Sequence, residues 1–189
     1  MAARDGQRTA LTRERVLQAA EDVLRRYGPA KTNVVDVARA LKVSHGSVYR
    51  HFPSKAALRE AVAERFLDGV TRPLTDIDDP KQWFDALIAG KRARAQEDPE
   101  LFANYVALAV ESGDVVRRHV DHLIAQLTSI VGDETTARAL FDATARWHDP
   151  RHADEWAEPG VDEAFEAVWA LLAQAMTRPA SSAHSRAAR

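Results

Sequence analysis

The sequence predicts an all-α fold, because three features of the chain favour helices over strands. Apolar residues recur at the i, i+3, i+4 and i+7 positions of amphipathic helices along most of the chain. Residues that cap or end helices, mainly Ser, Thr, Asp, Gly and Pro, separate these apolar stripes. No stretch of useful length shows the alternation of apolar and polar residues that is typical of a half-buried strand.

Four helices are predicted before residue 73, and together they would form a small N-terminal head. They span 12–27, 32–41, 44–51 and 54–72, and each begins at a Thr or Ser that can cap a helix. Gly28-Pro29 ends the first helix, and Pro53 ends the very short third one. The capping residues predicted for the second, third and fourth helices are Thr32, Ser44 and Ser54.

A larger helical body is predicted after a linker that ends at Pro80. Its helices are predicted at 81–97, 99–112, 114–131, 135–147 and 161–177. The segment 147–156 is aromatic, charged and interrupted by Pro150, so we expect an ordered connection there rather than a solvent loop.

The charge of the chain is divided unevenly, although its net value is only −2. Residues 1–71 contain 13 Lys and Arg against 8 Asp and Glu, a net charge of +5, and residues 72–189 contain 13 against 20, a net charge of −7. A polyanion should therefore meet the head first. The chain has no Cys, no apolar leader and no run long enough for a membrane span, so we expect a cytoplasmic protein.

Residues 32–52 have the pattern of a helix-turn-helix, which needs two short helices, a tight turn and an exposed second helix. Its interior can be formed by Val37, Ala38, Val43, Val48 and Phe52. The exposed positions of the second helix carry hydroxyl, imidazole and guanidinium groups and neither Glu nor Lys, and Gly46 would let the backbone approach a duplex. This surface favours base recognition in the major groove.

The segments 32–38 and 43–58 resemble the DNA-binding region of tetracycline-repressor-like (TetR) regulators. The run Tyr-x-His-Phe-x-x-Lys-x-x-Leu at 49–58 is the most recognisable feature of that family, and the resemblance covers roughly residues 11–70. It implies a sequence-specific DNA-binding regulator, a repressor released by a small-molecule effector. The DNA-binding residues implied are Thr32, Asn33, Ser44, His45, Gly46, Ser47, Tyr49, His51 and Lys55.

The resemblance also implies a role for each of these residues. Tyr49 and Lys55 would contact phosphates, and the positive end of the fourth helix would add attraction near Lys55. Thr32 and Asn33 would hold another phosphate through side chain and backbone N–H, while His45 and Ser47 would face base edges. Packing of Tyr49 and a local structural hydrogen bond of His51 are the alternatives.

Two further features of the head bear on this prediction. Lys42 occupies a turn position where the family often has Gly, and a positive φ there would cost a Lys on the order of 1 kcal/mol. A basic arm with Arg4, Arg8 and Arg13 could add contacts to phosphates or the minor groove, or it could be an uninvolved tail.

A homodimer is expected, because one short recognition helix contacts few base pairs and two heads are needed for specific binding to a near-palindromic operator. The helix 161–177 has apolar residues on more than one face, so part of them could pack against a second subunit. In the family the last two helices of each subunit form this interface. The interface residues predicted are Leu140, Thr144, Phe165, Val168, Trp169, Leu172 and Met176.

The family also implies a ligand cavity among the central helices. The candidate lining residues are Trp83, Leu87, Phe102, Tyr105, His119, Leu123, Phe141, Trp147 and His148. The predicted organisation is then a flexible basic arm at 1–10, a DNA-binding domain at 11–53 with a connecting helix at 54–72, a ligand-binding and dimerisation domain at 80–177, and a disordered tail at 178–189.

Three alternatives are weaker on sequence grounds. His119 with His122, or His148 with His152, could hold a metal ion, but Cys is absent and the ligand sets are loose, so we predict no metal and no cofactor. A helical-bundle enzyme, or a ligand-binding protein with no role on DNA, would need no head, and no catalytic motif is visible. An architectural DNA-binding protein would need basic charge throughout, whereas this body is acidic.

Overall fold

A computed structural model of the chain describes residues 10–177, and within that range it contains ten α-helices and no strand. The helices are α1 Arg13–Tyr27, α2 Val34–Leu41, α3 His45–Tyr49, α4 Lys55–Thr71, α5 Pro80–Glu97, α6 Pro99–Glu111, α7 Gly113–Val131, α8 Glu134–Ala143, α9 Ala145–His148 and α10 Val161–Thr177. Short 3-10 turns lie at Pro29–Lys31, Arg72–Leu74 and Pro150–Ala157. The all-α prediction is confirmed, while the predicted basic arm, except Ala10, and the predicted tail lie outside the described residues.

Most of the predicted helix starts are confirmed by hydrogen bonds of the capping side chains. The Thr12 hydroxyl accepts from the Arg15 amide at the start of α1, and the Ser54 hydroxyl accepts from the Ala57 amide at the start of α4. Each cap satisfies one of the amides that the first turn of a helix leaves without a partner.

The chain forms two compact units. Among the described residues, the first unit comprises 10–73 and 93–123, and the second comprises 74–92 and 124–177. The predicted domain boundary before residue 80 therefore does not coincide with the division of the fold.

The core of the first unit explains this difference. Leu24 and Leu58 are buried in it, as expected for the head, but so are Tyr105, Leu108 and Val115 of α6 and α7. Burial of these apolar side chains against α1 and α4 makes α6 part of the packing that supports the helix-turn-helix.

The core of the second unit is rich in aromatic residues. Trp83 packs edge-on against Phe84, whose ring lies 5.6 Å from that of Trp169. Trp147 lies edge-on to Phe165, and its indole N–H donates to the Val161 carbonyl at 2.8 Å. Tilted and edge-on ring pairs of this kind stabilise a core beyond the area that they bury.

The single helix predicted at 135–147 is broken at Thr144. This residue has φ −103° and ψ 6°, and its hydroxyl donates to the Leu140 carbonyl. A Thr that bonds back to the preceding turn often bends a helix, and here α8 ends and α9 begins. The segment that follows is ordered, as predicted, because Trp156 is buried and its indole N–H donates to the Arg146 carbonyl.

Candidate nucleic-acid interface

The turn between α2 and α3 brings the two short helices together through a left-handed residue. Lys42 has φ 55° and ψ 41°, and it is the only residue other than Gly with a positive φ within 10–177. The amides of Lys42 and Val43 donate to the carbonyls of Arg39 and Ala38, which closes the end of α2. This turn position therefore has the positive φ that is unfavourable for Lys.

The inner surfaces of α2 and α3 are apolar and closely packed. Val37, Ala38 and Val48 are fully buried, and Phe52 is nearly so. Ala38 supplies the small side chain that lets the two helices cross closely. The predicted interior of the helix-turn-helix is therefore confirmed, and it fixes which side of α3 faces outward.

The outward side of α3 carries the polar groups predicted to read DNA. Ser44, His45 and Gly46 are exposed, and Ser47 is half-buried. The Ser44 hydroxyl caps α3 by accepting from the Ser47 amide, and the two hydroxyls lie 2.9 Å apart. These groups lie at the exposed start of the helix, where they can reach base edges without rearrangement of the core.

Two groups suited to phosphate binding flank this surface. The Tyr49 side chain is 47% exposed, so it is not a core aromatic, which was the alternative for this residue. Lys55 is exposed in the first turn of α4, where the helix dipole attracts anions. His51 is half-buried beside them.

Three cations without a carboxylate partner among the described residues lie close in sequence to this surface. Within residues 10–177, Lys42, Arg50 and Lys55 are exposed and form no ion pair with a carboxylate. By contrast, Arg39 on α2 is paired with Asp36 at 2.7 Å. Cations without a protein partner are available to neutralise phosphates.

The predicted role of Thr32 is wrong in this structure. Its side chain is completely buried, its hydroxyl donates to the Gly28 carbonyl at 3.1 Å, and its amide donates to the Pro29 carbonyl. Asn33 takes the capping role instead, because its side-chain oxygen accepts from the amides of Val35 and Asp36. Of the predicted pair Thr32 and Asn33, only Asn33 therefore remains a candidate phosphate contact at the start of α2.

Arg13 does not belong to a loose arm. It is the first residue of α1, and its guanidinium lies 4.7 Å from the centre of the Phe52 ring. This cation–π contact ties α1 to the end of the helix-turn-helix.

The residues predicted to line one ligand cavity are divided between the two units. Phe102 and Tyr105 line a cavity of about 540 Å³ in the first unit, which is formed by α1, α4, α6 and the end of α5. The others do not line it: His119 and Leu123 lie elsewhere in the first unit, and Trp83, Leu87, Phe141, Trp147 and His148 are buried in the second unit. These seven residues are thus not among the walls of that cavity, and most of the aromatic side chains among them are used as core.

Sequence reasoning missed the charged residues of this cavity. Glu21, Arg65 and Arg94 come from three separate segments of the chain, and no local pattern connects them. One local signal was present: Gly69 lies inside α4, where Gly is unfavourable relative to Ala unless the space is needed.

His148 is part of the protein core. Its ring nitrogen Nε2 lies 3.1 Å from the Phe141 carbonyl, and its own carbonyl accepts from the ammonium of Lys91 at 2.8 Å. Burial, together with the neighbouring Lys91 charge, lowers the pKa of His148 to about 3. Burial likewise lowers the pKa of Lys91 to about 8. Within the described part of the chain, no three His, Asp or Glu side chains could hold a metal ion.

Four of the predicted interface residues are buried within their own subunit. These are Leu140, Thr144, Phe165 and Trp169, and their side chains cannot form a surface for a second chain. Apolar side chains are exposed towards the C-terminal end of α10, where Leu171 is 67% exposed, Met176 is exposed and Val168 and Leu172 are half-buried. Of the seven predicted residues, Val168, Leu172 and Met176 are thus accessible on α10, and the interface stays a prediction.

Two models of one protein family match the chain, each over a different segment. The family "Bacterial regulatory proteins, tetR family" matches residues 16–62, and "Tetracyclin repressor-like, C-terminal domain" matches residues 81–169. Both describe regulatory proteins and neither describes an enzyme, in agreement with the sequence-based prediction. In the described range no helix is both long and apolar enough for a membrane span.

Several relatives with curated names are transcriptional regulators from Mycobacterium tuberculosis. The HTH-type transcriptional repressor Rv3405c is 44% identical over 59 residues, which are 31% of this chain and 31% of that protein. The HTH-type transcriptional regulator Rv1255c is 27% identical over 189 residues, 95% of this chain and 92% of that protein. The chain thus spans about a third of the length of the first group of relatives and nearly all of the second.

Solved structures share the fold at low sequence identity. BioQ bound to its double-stranded DNA operator has a TM-score of 0.59 at 22% identity, covering 87% of this chain and 99% of that one. NalD, the secondary repressor of the MexAB-OprM efflux pump in Pseudomonas aeruginosa, has a TM-score of 0.57 at 19% identity, covering 84% and 94%. At these identities the likeness establishes the fold.

Proposed function

Because the chain belongs to the TetR family of bacterial regulatory proteins, we propose that it is a sequence-specific DNA-binding transcriptional regulator that acts as a homodimer. The observation that carries this proposal is the exposed start of α3, flanked by Tyr49 and by cations without ion-pair partners. A surface of this kind is suited to the major groove, where each base pair presents a distinct pattern of donors and acceptors.

In the proposed complex, phosphate contacts position the head and base contacts select the sequence. Lys55 and Tyr49 bind phosphates on one side of α3, and Asn33 binds one at the start of α2. His45 and Ser47 face the base edges, and the backbone at Gly46 approaches the duplex. The operator of the relative BioQ is double-stranded DNA, which supports the same class of partner for this chain.

A second subunit is proposed to pack on the apolar side chains that α10 exposes towards its C-terminal end. Leu171 and Met176 are exposed there, and Val168 and Leu172 are partly so. Isolated exposed leucines are ordinary, but several apolar side chains exposed along one stretch of helix mark an interaction surface. Two-fold symmetry would place the two α3 helices in successive major grooves, about 34 Å apart, on a near-palindromic operator.

The regulator is proposed to be a cytoplasmic repressor that a small molecule releases from DNA. The names of the relatives Rv3405c and NalD, both repressors, support repression. Release needs an effector that favours the DNA-incompetent state, and a tenfold loss of operator affinity requires a coupling of about 1.4 kcal/mol.

Selection of bound sequences from a random pool of DNA duplexes tests this function. We expect enrichment of two inverted half-sites separated by about one helical turn. A variant with Tyr49→Ala and Lys55→Ala should enrich nothing, while its far-ultraviolet circular dichroism stays that of the wild type. Failure of the folded wild-type protein to enrich any sequence would refute the proposal.

A further inference from the structure

The cavity of the first unit is lined by both charged and apolar side chains, whereas a void in a hydrophobic core is lined by apolar side chains alone. It measures about 540 Å³, within the range of small-molecule sites. Phe66 and Tyr105 stack at 4.0 Å between ring centres, and Phe102 meets Phe66 edge-on. Arg65 and Arg94 line the same space.

One of these charges, Arg94, has no anionic partner. Its guanidinium lies 5.2 Å from the centre of the Phe66 ring, and within residues 10–177 it forms no ion pair. A guanidinium presents several N–H donors in a planar fork that matches a carboxylate. Arg94 therefore offers an anion site next to an apolar surface.

The chain makes room for this guanidinium. A Cβ atom added at Gly69 would lie 2.5 Å from Nη2 of Arg94, closer than van der Waals contact allows. Gly69 lies inside α4, where Ala would be the better helix former. The space at Gly69 thus serves the position of Arg94 rather than the stability of the helix.

The acidic residues of the cavity are already matched by other cations. Glu21 lies 3.2 Å from Nε of Arg65, and Asp98 lies 3.6 Å from Nε of Arg25. Tyr105 also hydrogen-bonds to Glu21, and burial raises the pKa of the Tyr105 hydroxyl, which keeps it neutral. The remaining carboxylate, that of Glu97, is exposed. Because Glu21 and Asp98 are paired with other cations, the guanidinium of Arg94 is left without a counterion in the cavity.

We propose that this cavity binds a small organic carboxylate with an apolar body. The carboxylate pairs with Arg94, and the apolar body lies against Phe66, Phe102 and Leu101. A bound ligand holds Arg94 and Phe66 together and so fixes the C-terminal part of α4.

The regulatory consequence of this binding rests on the proposed DNA-binding function. α4 is one continuous helix from Lys55 to Thr71, about 25 Å long. Its first residue is a proposed phosphate contact, and Phe66 and Gly69 lie near its other end. A ligand that fixes this end restricts the positions that Lys55 can take, so we infer that the carboxylate is the effector.

Titration calorimetry with 2-naphthoate, a planar carboxylate that fits the volume, tests the site on the full-length protein without DNA. We expect one molecule bound per chain and roughly tenfold or greater weakening in Gly69→Ala and Arg94→Met, because a charge-assisted hydrogen bond is lost. The uncharged 2-naphthamide should bind correspondingly more weakly.

Gly90→Ala is the matched control for Gly69→Ala. Gly90 also lies inside a helix, α5, but no atom lies within 4 Å of an added Cβ there. Both variants should melt at or above the wild-type temperature, since Ala favours helix, yet only Gly69→Ala should lose 2-naphthoate. Absence of binding, equal binding by both variants, or tighter binding of the cation 2-naphthylmethylamine would overturn the proposal.

Fluorescence anisotropy with selected operator DNA separates this inference from the proposed function. We expect 2-naphthoate to shift the operator affinity of the wild type and of Gly90→Ala but not of Gly69→Ala. If operator binding occurs and 2-naphthoate binds without changing it, the effector role is overturned and the regulator remains. If 2-naphthoate binds as expected and no DNA is bound, the site stands and the proposed function fails.

Discussion

At the scale of single residues, Lys42 shows how a backbone conformation can be tested by substitution. Its left-handed conformation is unfavourable for a side chain with Cβ and costs about 1 kcal/mol relative to Gly. Lys42→Gly should therefore raise the free energy of unfolding of the protein by up to about 1 kcal/mol in urea denaturation.

Ala40→Gly supplies the control for this change, because Ala40 is exposed within α2 and has helical geometry. There the same replacement should lower the free energy of unfolding by about 0.5–1 kcal/mol. If both variants lose stability equally, the strain assigned to Lys42 does not exist.

Lys55 is expected to contribute to DNA affinity without contributing to sequence choice. Lys55→Gln should weaken binding to operator and to unrelated DNA by similar factors and reduce the slope of log affinity against log salt by about 0.9. Fluorescence anisotropy at several salt concentrations measures both quantities. Arg138→Gln, which removes an exposed cation of α8, should leave the slope unchanged; an unchanged slope for Lys55→Gln would remove Lys55 from the interface.

Residue-level prediction worked where a sequence signal was local. Ser44 and Ser54 were predicted as caps because a hydroxyl directly before a helical pattern is sufficient evidence. The prediction for Thr32 as the cap of α2 was wrong because Thr32 and Asn33 are both good capping residues. Sequence alone does not show that the Thr32 hydroxyl is buried and donates to the carbonyl of Gly28.

At the scale of helices, α10 carries the proposed subunit contact. Leu171→Glu would place a charge in the middle of an apolar interface, where burial without a partner is costly. We expect dissociation into monomers at micromolar concentration, measured by analytical ultracentrifugation, and a loss of operator affinity that follows from it.

Val110→Glu is the control for this substitution, because Val110 is 71% exposed on α6 in the other unit. It introduces the same charge at a similarly exposed apolar residue of another helix. A dimer that survives Leu171→Glu would show that subunits associate elsewhere.

Prediction of whole helices from sequence was more successful than prediction of their faces. The bounds of α5 and α10 follow from apolar periodicity and from Pro and Gly. The buried side of α10, with Phe165 and Trp169, could not be separated from the exposed side with Leu171, because both are apolar. Only the packing of neighbouring helices decides which of them faces the core.

At the scale of the whole molecule, the buried His148 should make stability depend on pH. The unfolded chain takes up a proton at His148 below its ordinary pKa of 6.5, whereas the folded chain keeps it neutral to about pH 3. Because the unfolded state binds more protons between these values, stability falls as the pH falls. From pH 6 to pH 5 we expect His148 to contribute about 1 kcal/mol to this loss.

Urea denaturation at these two pH values, for the wild type and His148→Gln, measures this contribution. The variant should show a shallower dependence, and in NMR titration of the wild type one imidazole should keep its neutral chemical shift at pH 5. If all described histidines titrate near pH 6.5, His148 is not buried as the structure has it.

The division of the molecule into two units was the feature least accessible from sequence. The linker that ends at Pro80 suggested a boundary before residue 80, but Tyr105 and Leu108 join the core that supports α1 and α4. The candidate cavity belongs to that unit for the same reason, and its charged residues come from segments as distant as Glu21 and Arg94. Contacts between distant segments depend on the packing of helices and leave no periodic signal in the chain.

The central claim is that α3 reads bases, and selection of DNA by a His45→Ala variant tests it most directly. Compared with the wild type, we expect the selected sequences to lose their preference at one symmetric pair of base positions and to keep the spacing of the half-sites. If the variant recovers the same consensus with the same preference at every position, His45 does not face the bases and this account of α3 is contradicted.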